Sequence, residues 1–308
     1  MSKKYKVCVM LSTYNGEKYI REQLDSILKQ KSIDLIVYIR DDGSTDSTYN
    51  ILKSYKESND NIILCKGNNI GWRKSFMNIL KSAPIADFYA FSDQDDVWKD
   101  NKLETAVNKL INYKKEVALY GSNVTVTNEQ LVPLKLYNNE KLNVINRPFE
   151  QLLDVSMMPG GLTYVFTPKL KEMMKRWTSA GDYGHDFICY LLATLFGYVI
   201  YDNNSYVLYR QHKNNEIGAP GGKLWRLRTN LKNFFGRSIP HKSLWAEKVL
   251  HLYPEIEQDS RKKMYLQLLK EYPNSYKNKM ILLKNPNLYR NTRYDTLCLH
   301  IKIITNKW

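Results

Sequence analysis

The sequence predicts an α/β protein built on a mostly parallel, doubly wound sheet, followed by a basic helical extension. Short apolar runs typical of buried strands alternate regularly with segments whose apolar residues recur at helical spacing. Polar loops follow three of these strands, and such loops line the ligand crevice of parallel sheets. The extension stands out by charge. From Lys213 to Trp308 there are 19 Lys and Arg against 7 Asp and Glu, whereas the preceding residues carry 27 against 24.

Length and composition fit an ordinary folded protein. The 308 residues suffice for one large domain plus an appendage, and 43% are apolar and 25% charged. The four cysteines are widely spaced and form no Cys-X-X-Cys pair, which favours free thiols over disulfides or zinc. The N-terminal apolar run is too short for a signal peptide, and no run is long enough to span a membrane. We therefore expect a cytoplasmic protein.

The first part of the chain reads as four strand–helix units. Apolar runs predict strands over residues 6–11, 35–40 and 62–65 and another that begins at Phe88. Helical spacing of apolar residues predicts the intervening helices, and Asp46 is the predicted N-cap of the second. These helices are expected over about 20–28, 48–55, 72–80 and 103–111.

The second part is less regular. A sharp turn is predicted at Met158-Pro159-Gly160-Gly161, and beyond Gly221-Gly222 the chain reads as helical. That last segment has Trp225, Leu227, Leu231, Phe234 and Phe235 interleaved with Lys and Arg. Between these points we predict strands over 118–127, 162–166, 198–201 and 205–210 and helices over 169–177 and 187–196.

Three carboxylates follow the fourth predicted strand, at Asp93, Asp95 and Asp96. Carboxylates gathered at a strand end repel one another, so a positive group is expected among them. A hard divalent cation bound to a phosphorylated ligand is the leading candidate. The alternative is a solvated turn followed by an acidic helix start, because short acidic motifs also arise by chance.

Four motifs occur in order at these loop positions, and together they resemble family 2 glycosyltransferases. They are Ser12-Thr13-Tyr14-Asn15, Asp41-Asp42-Gly43-Ser44-Thr45-Asp46, Asn69-Ile70-Gly71 and Asp93-Gln94-Asp95-Asp96-Val97-Trp98. The resemblance implies the GT-A fold, in which a Rossmann-like sheet merges with an acceptor-binding half. Later motifs, His185-Asp186 and Tyr209–Asn215, are similar to the bacterial rhamnosyltransferase-like branch.

The resemblance covers about residues 5–215 and implies a domain organisation. A glycosyltransferase domain would occupy residues 1–215, with the nucleotide-sugar half at about 1–115 and the acceptor half at about 116–215. Residues 216–308 would form the basic, mostly helical C-terminal region.

The resemblance places the nucleotide sugar against the first three motifs. A carboxylate such as Asp41 or Asp42 can accept the N3–H of uracil or thymine and so select a pyrimidine. The alternative is that Asp41–Ser44 is only a turn, and Lys74 or Arg73 near the phosphates could equally be solvated charges. The implied nucleotide-sugar contacts are Thr13, Tyr14, Asn15, Glu17, Asp41, Asp42, Asn69, Gly71, Lys74 and Asp93.

The resemblance also implies a metal site and a base. Asp95 is the first choice as direct ligand of Mn²⁺ or Mg²⁺, with Asp93 beside it and His212 completing the coordination, although a lone histidine can be purely structural. Asp186 would be the general base, the alternative being an acid that favours a helix N-terminus. The implied acceptor and sugar pocket comprises Trp98, which could also be core, with Gly160, Gly161, His185 and Arg210.

The expected function is that of an inverting, metal-dependent glycosyltransferase. L-rhamnose from dTDP-L-rhamnose is the first choice of donor, and a glycan or lipid-linked acceptor in bacterial surface polysaccharide assembly is the expected partner. A UDP-hexose enzyme acting on a glycoprotein or glycolipid is the alternative, and a non-catalytic binding module is the competing class. No nucleic-acid motif is visible. The basic region suits an anionic membrane surface on the cytoplasmic face, and a solvated face or a dimer contact is the other interpretation.

Overall fold

The computed structural model describes residues 4–144, 147–154, 159–178, 181–213, 215, 242–290 and 292–308. The chain forms two compact units. The first comprises Met1–Asn146 and Ser156–Ala219, and the second comprises Arg147–Val155 and Pro220–Trp308. The predicted aromatic basic helix around Trp225 and Met158 of the predicted turn lie outside the described residues. Residues 147–155 belong with the C-terminal unit although they lie inside the stretch predicted as the acceptor half.

The first unit contains a sheet whose first four strands are parallel. They are β1 (Tyr5–Thr13), β2 (Ile33–Asp41), β3 (Ile62–Lys66) and β4 (Phe88–Ser92), in the order β3-β2-β1-β4. β1 pairs with β2 on one side and with β4 on the other, so its apolar residues are fully buried. The carboxyl ends of all four strands meet at one edge of the sheet, where ligands of such sheets bind.

Four helices connect and follow these strands: α1 (Ile20–Leu28), α2 (Thr48–Ser58), α3 (Trp72–Ser82) and α4 (Lys102–Tyr113). Each buries the apolar face that the sequence pattern predicts. The predicted cap of α2 is displaced by one residue. Ser47 is the N-cap, and Asp46 accepts a hydrogen bond from the backbone N–H of Thr48 at 3.0 Å, as an Asp side chain does in a turn.

The rest of the sheet is mixed, in the order β4-β8-β6-β9-β5 with β7 paired to β6. The predicted strands 198–201 and 205–210 form one strand whose pairing shifts register near Asp202. The strand expected over 162–166 begins as a short 3₁₀ turn. The elements are β5 (Val97–Trp98), β6 (Ala118–Thr127), β7 (Pro133–Leu136), β8 (Val165–Phe166), β9 (Tyr198–Arg210), α6 (Pro168–Lys175) and α7 (His185–Phe196).

The second unit packs four helices around a short one from the middle of the chain. These are α8 (Lys242–Leu252), α9 (Ser260–Glu271), α10 (Tyr276–Leu283) and α11 (Arg293–Ile304), together with α5 (Phe149–Asp154).

The carboxylate of Asp154 joins three elements of this unit. It accepts hydrogen bonds from Arg290 Nε at 2.8 Å and Trp308 Nε1 at 2.6 Å, and Lys242 Nζ lies 3.5 Å away. Burial alone would raise the pKa of Asp154, but the charges of Lys242 and Arg290 hold it below its usual value. The buried carboxylate is therefore ionised and paired. Among the helices that can be described, none is both long enough and apolar enough to cross a bilayer.

Candidate active site

Two loops at the carboxyl edge of the sheet are bound to each other. The backbone N–H of Asn15 donates to Ser44 Oγ at 3.0 Å, and Asn15 Oδ1 accepts from the Thr45 N–H at 2.9 Å. Glu17 Oε2 accepts from the Ser47 N–H at 2.8 Å. The side chains of Asn15 and Glu17, expected to contact a nucleotide, are thus engaged in fixing the loop after β1 to the loop after β2.

Gln94 fixes the loop after β1 to the acidic loop. Its Oε1 accepts from Thr13 Oγ1 at 2.5 Å and from the Tyr14 N–H at 2.9 Å, while its Nε2 donates to the Tyr14 carbonyl at 3.2 Å. A Cβ at Gly16 would collide with this amide. The Tyr14 side chain is 43% exposed and so remains accessible. The sequence analysis missed Gln94, although its place between two aspartates was a usable signal.

The adjacent Asp41 and Asp42 differ in how their oxygens are used. Asp42 accepts from Arg40 Nη2 at 2.9 Å and from the backbone N–H groups of Ile70 and Gly71 at 3.1 and 3.0 Å. Asp41 accepts from the Ser44 N–H at 3.2 Å through Oδ2, and its buried Oδ1 has no hydrogen-bond partner among the residues that the structure describes. Asp42 therefore serves to hold the loop before α3, whereas Asp41 retains an unused acceptor.

The start of α3 is shaped by Gly71 and lies near Gly181. Gly71 has φ +80°, a conformation that favours glycine, and its N–H also donates to Asn69 Oδ1 at 3.1 Å. A Cβ at Gly181 would lie 3.1 Å from Lys74 Cε, and Arg73 Nη1 donates to the Gly181 carbonyl at 3.4 Å. Lys74 is exposed beside the first turn of α3, so its ammonium can reach an anion there.

Asp95 and His212 meet in the acidic loop. His212 Nε2 lies 2.8 Å from Asp95 Oδ2, and the imidazole stacks on the ring of Tyr19 with centroids 4.7 Å apart. His212 follows the end of β9, far from Asp95 in sequence, so the fold brings together two residues that the sequence analysis paired only by family resemblance.

Arg210 anchors the acidic loop instead of lining a pocket. It is 3% exposed, and its guanidinium donates to the backbone oxygens of Asp95 and Glu129 at 2.8 and 2.6 Å and pairs with Glu22. Its backbone N–H donates to Asp96 Oδ1 at 3.1 Å. The expectation that Arg210 contacts the sugar or acceptor therefore gives way to a positioning role, since its donors are occupied by the protein.

Trp98 and Asp96 also point into the protein. Trp98 is 3% exposed within the main apolar cluster, a position that favours the core alternative considered for it. Lys102 Nζ lies 3.5 Å from the centroid of its ring. Burial lowers the pKa of Lys102 to about 7, and burial raises that of the fully buried Asp96. The buried side chains of Trp98, Asp96 and Lys102 therefore help to hold the acidic loop in place.

Asp93 is the least compensated carboxylate of the site. Its side chain accepts no hydrogen bond from any residue within the described ranges, and burial together with the charges of Asp95 and Asp186 raises its pKa to about 7. Among the residues that the structure describes, no ion pair is made by Asp93 itself. The arrangement therefore favours a positive or hydrogen-bond-donating ligand at Asp93.

Asp186 lies at the N-terminus of α7 beside a glycine loop. Its Oδ1 accepts from the Phe187 N–H at 2.8 Å, and a Cβ at Gly160 would lie 3.4 Å from its Oδ2. Gly160 has φ +106°, and a Cβ at Gly161 would come within 3.3 Å of Asp186 Cβ. The two glycines thus let the backbone approach the carboxylate closely, which leaves no side chain between that loop and Oδ2.

His185 is a buried, neutral neighbour of Asp186. Its ring stacks on Phe76 at 3.8 Å between centroids and meets Phe91 edge-on at 4.3 Å. Burial lowers its pKa to about 4, and neither ring nitrogen has a hydrogen-bond partner. A Cβ at Gly161 would lie 2.7 Å from Nε2. The ring of His185 therefore packs against the glycine loop. Its position gives no indication of a contact with the acceptor substrate.

Within the described ranges no group of three or more His, Cys, Asp and Glu could hold a metal ion on its own. The Asp95–His212 pair supplies two ligand atoms of suitable type, and Asp93 adds uncompensated charge. These residues fit a divalent ion that takes its remaining ligands from a phosphorylated substrate and water. They do not form a complete protein cage.

Comparisons with known proteins identify the family of the chain. The model of the family "Glycosyl transferase family 2" matches residues 8–173. The chain is 32% identical over 226 residues to dTDP-rhamnosyl transferase RfbG of Shigella flexneri, covering 68% of this chain and 74% of that protein. It is 28% identical over 144 residues to the Escherichia coli UDP-Glc:alpha-D-GlcNAc-diphosphoundecaprenol beta-1,3-glucosyltransferase WfgD, covering 45% and 55%.

Solved structures show the same fold. S. aureus TarS 1-349 in complex with UDP-GlcNAc matches with a TM-score of 0.59 at 17% identity, covering 98% of this chain and 80% of that one. The predicted GT-A fold is thereby confirmed. Because the family model spans more than half of the chain and a relative shares 32% identity over most of its own length, this enzyme belongs to glycosyltransferase family 2.

Proposed function

We propose that the enzyme transfers a sugar, with inversion, from a pyrimidine nucleotide sugar to a hydroxyl of a glycan or lipid-linked acceptor in bacterial surface polysaccharide assembly. The observation that carries this proposal is the uncompensated charge at the strand ends. Asp93 has a pKa raised to about 7 because it is buried beside the charges of Asp95 and Asp186. Carboxylates with this uncompensated charge can bind a cation, accept hydrogen bonds from sugar hydroxyls and take up a proton. Sugar transfer supplies all three.

Asp41 supports a uracil or thymine base. Its buried Oδ1 is an acceptor without a partner, and leaving it unsatisfied costs about 1–3 kcal/mol. The N3–H of uracil or thymine would satisfy it, whereas cytosine presents an acceptor at that position. The exposed ring of Tyr14 follows Thr13, which pairs with Asp41 between β1 and β2, and offers a surface for the base.

The donor sugar that we favour is L-rhamnose from dTDP-L-rhamnose. The support is the 32% identity to a protein named as a dTDP-rhamnosyl transferase. A UDP-hexose is the second candidate, favoured by the similarity to a protein named as a UDP-Glc-dependent glucosyltransferase. Both donors satisfy the same base contact at Asp41, so the sugar end of the site must separate them.

Asp95, His212 and Asp93 are the residues that would hold Mn²⁺ or Mg²⁺. Such an ion neutralises the charge that grows on a departing diphosphate. Lys74, exposed beside the first turn of α3, adds a further positive charge for the phosphates. A mannosyltransferase of the same fold from Pyrobaculum calidifontis, with TM-score 0.50 and 17% identity, is described in complex with GDP-Man and Mn2+.

Asp186 is the proposed general base. Its Oδ2 faces the glycine loop with no side chain intervening, so a hydroxyl can approach it there. Asp186 takes the proton of the acceptor hydroxyl while the hydroxyl oxygen forms a bond to the anomeric carbon of the donor sugar. At the same time the bond between the anomeric carbon and the diphosphate oxygen breaks, and its electron pair leaves with the diphosphate. A single displacement of this kind inverts the anomeric configuration.

The deciding experiment is a donor panel followed by NMR of the product. Purified enzyme is incubated with dTDP-L-rhamnose, UDP-glucose or UDP-GlcNAc, with Mn²⁺ or Mg²⁺ or with EDTA, and release of nucleotide diphosphate is measured. We expect release with a dTDP- or UDP-sugar, its loss with EDTA, and an anomeric proton of inverted configuration in the product. A retained configuration would exclude Asp186 as the base of a single displacement, and full activity in EDTA would exclude the metal.

A non-catalytic binding module is the remaining alternative. It would bind the same nucleotide sugars in that panel yet release no diphosphate with any acceptor. The raised pKa of Asp93 argues against it, because carboxylates with perturbed pKa values cluster at sites that carry out chemistry.

A further inference from the structure

The last helix of the second unit exposes an apolar face. On α11, Leu297 is 57% exposed, Ile301 39% and Ile304 55%, and Tyr294 one turn earlier is 53% exposed. Their spacings of three and four residues place these four side chains, hereafter the α11 face, on one side of the helix. The opposite side is anchored in the unit by Leu299 and Ile303, both fully buried.

The same part of the chain carries most of the net positive charge of the described second unit. Residues 275–308 contain 7 Lys and Arg and a single acid, Asp295. Residues 242–274, in the same unit, contain 6 Lys and Arg but 5 Asp and Glu. Exposed apolar side chains and uncompensated positive charge therefore coincide within residues 275–308, whereas residues 242–274 are nearly neutral when their connecting segments are included.

We infer that the α11 face docks on an anionic lipid surface. An apolar stripe on a helix within a lysine-rich segment is the pattern of a helix that lies in the membrane interface with its apolar side among the acyl chains. α11 has 12 residues, far short of a membrane span, so it would lie on the bilayer and not cross it.

Charge decides between lipid and a second copy of the chain. Two copies meeting at this face would bring two strongly positive segments together, and like charges oppose such contact. An anionic surface gains from each of them, about fivefold in binding per Lys or Arg near the surface. Lys277 and Lys284 are both exposed on or beside α10, so they are available for that attraction.

The inference rests on the proposed function only for its purpose, because a lipid-linked acceptor would be presented at such a surface. Its test is independent of catalysis. Full-length enzyme is floated with vesicles of phosphatidylcholine alone and of equal parts phosphatidylcholine and phosphatidylglycerol. We expect binding to the anionic vesicles, weakened by salt, and little binding to the neutral ones.

The informative variant is Leu297→Glu with Ile301→Glu. It should lower binding to anionic vesicles at least tenfold, because two charges would enter the apolar interface. The matched control is Leu244→Glu with Met264→Glu, at exposed apolar positions within residues 242–274 of the same unit (50% and 68% exposed), and it should bind within twofold of the wild type.

A second variant keeps the test decisive if the first fails to fold. Lys277→Gln with Lys284→Gln should lower binding about 25-fold, whereas Lys53→Gln with Lys56→Gln, exposed lysines of α2, should not. Wild-type binding by both test variants would overturn the inference, as would equal binding to neutral vesicles. A wild-type dimer that Leu297→Glu with Ile301→Glu dissociates, without vesicle binding, would assign the face to a second copy. Sugar transfer without vesicle binding would sink this inference and leave the proposed function standing.

Discussion

The crevice at the strand ends has two regions that treat their polar groups in opposite ways. In the loop wall, formed by residues 13–17, 41–48 and 67–71, many polar side chains are bonded to a neighbouring loop, as Asn15, Glu17 and Asp42 are. At the acid end, formed by Asp93 and Asp186, carboxylates lie near one another with little compensation. Side chains whose hydrogen bonds are all made within the protein suit a surface that must hold one shape. Uncompensated charge suits a place where a bound ligand supplies the missing partner. The loop wall therefore reads as scaffold, and the acid end as the region where chemistry can take place.

The largest effect should come from Asp186→Asn, which removes the proposed proton acceptor from the acid end. We expect the rate of transfer to fall by about 10²–10⁴-fold, the range typical of a lost general base. Donor affinity, measured by calorimetry with dTDP or UDP, should change less than threefold, because the amide keeps the shape of the side chain. Near-normal transfer by Asp186→Asn would move the base elsewhere.

In the loop wall, removing a carboxylate should lower the stability of the fold. Asp42→Ala leaves the guanidinium of Arg40 buried without its ion pair and frees two backbone N–H groups before α3. Breaking a buried pair in this way costs about 3–5 kcal/mol, which denaturant unfolding would detect. Asp34→Ala, which removes an exposed acid whose ion pair spans 3.8 Å, is the control and should cost less than about 1 kcal/mol. Equal losses in the two variants would contradict the assignment of Asp42 to the scaffold.

Neutralising Asp93 should raise the stability of the fold, whereas Asp42→Ala should lower it. Its folded-state pKa of about 7 lies above the value of an unfolded aspartate, so the native state binds the extra proton and loses stability as pH rises from about 4 to 7. Asp93→Asn removes that cost. We expect it to stabilise the fold by about 2–4 kcal/mol at pH 8 and by much less at pH 4, while transfer is lost.

The measurement is chemical denaturation of both proteins across that pH range without metal. Asp60→Asn, at an exposed aspartate, is the matched control and should show no such trend. A stabilisation by Asp93→Asn that stays constant with pH would mean that Asp93 is already paired in the folded enzyme.

The sequence predicted the sheet far better than it predicted which site residues are free. Buried strands and amphipathic helices leave periodic patterns, so β6 was located over the residues where it occurs, and the motifs named the loops that meet at the sheet edge. What a pattern cannot show is where a side chain's partners come from. Arg210 is occupied by Glu22 and Glu129, neither of them near it in sequence.

The C-terminal unit shows the same limit at a larger scale. α5 is six residues long and too short for a clear period, and its place in the second unit depends on Asp154 meeting Arg290 and Trp308. Such contacts across well over a hundred residues follow from tertiary packing, for which a single sequence offers no local signal.

The smallest effect, and the sharpest, concerns base selection at the one open acceptor of the loop wall. Asp41→Asn can keep the bond to the Ser44 N–H through its carbonyl oxygen, which turns an amide N–H₂ toward the place now occupied by the unpaired Oδ1. A uracil or thymine N3–H would then face a donor, while the N3 acceptor of cytosine would face a partner. We expect affinity for UDP and dTDP to fall about tenfold and affinity for CDP to rise, since one hydrogen bond is worth about 1 kcal/mol and an unsatisfied group costs somewhat more. Competition binding of the three nucleotides to the wild type and Asp41→Asn measures the change, with Gln94→Glu as a control that alters the neighbouring loop and leaves Asp41 intact. An unchanged ratio of UDP to CDP affinity would show that Asp41 belongs with the scaffold, as Asp42 does.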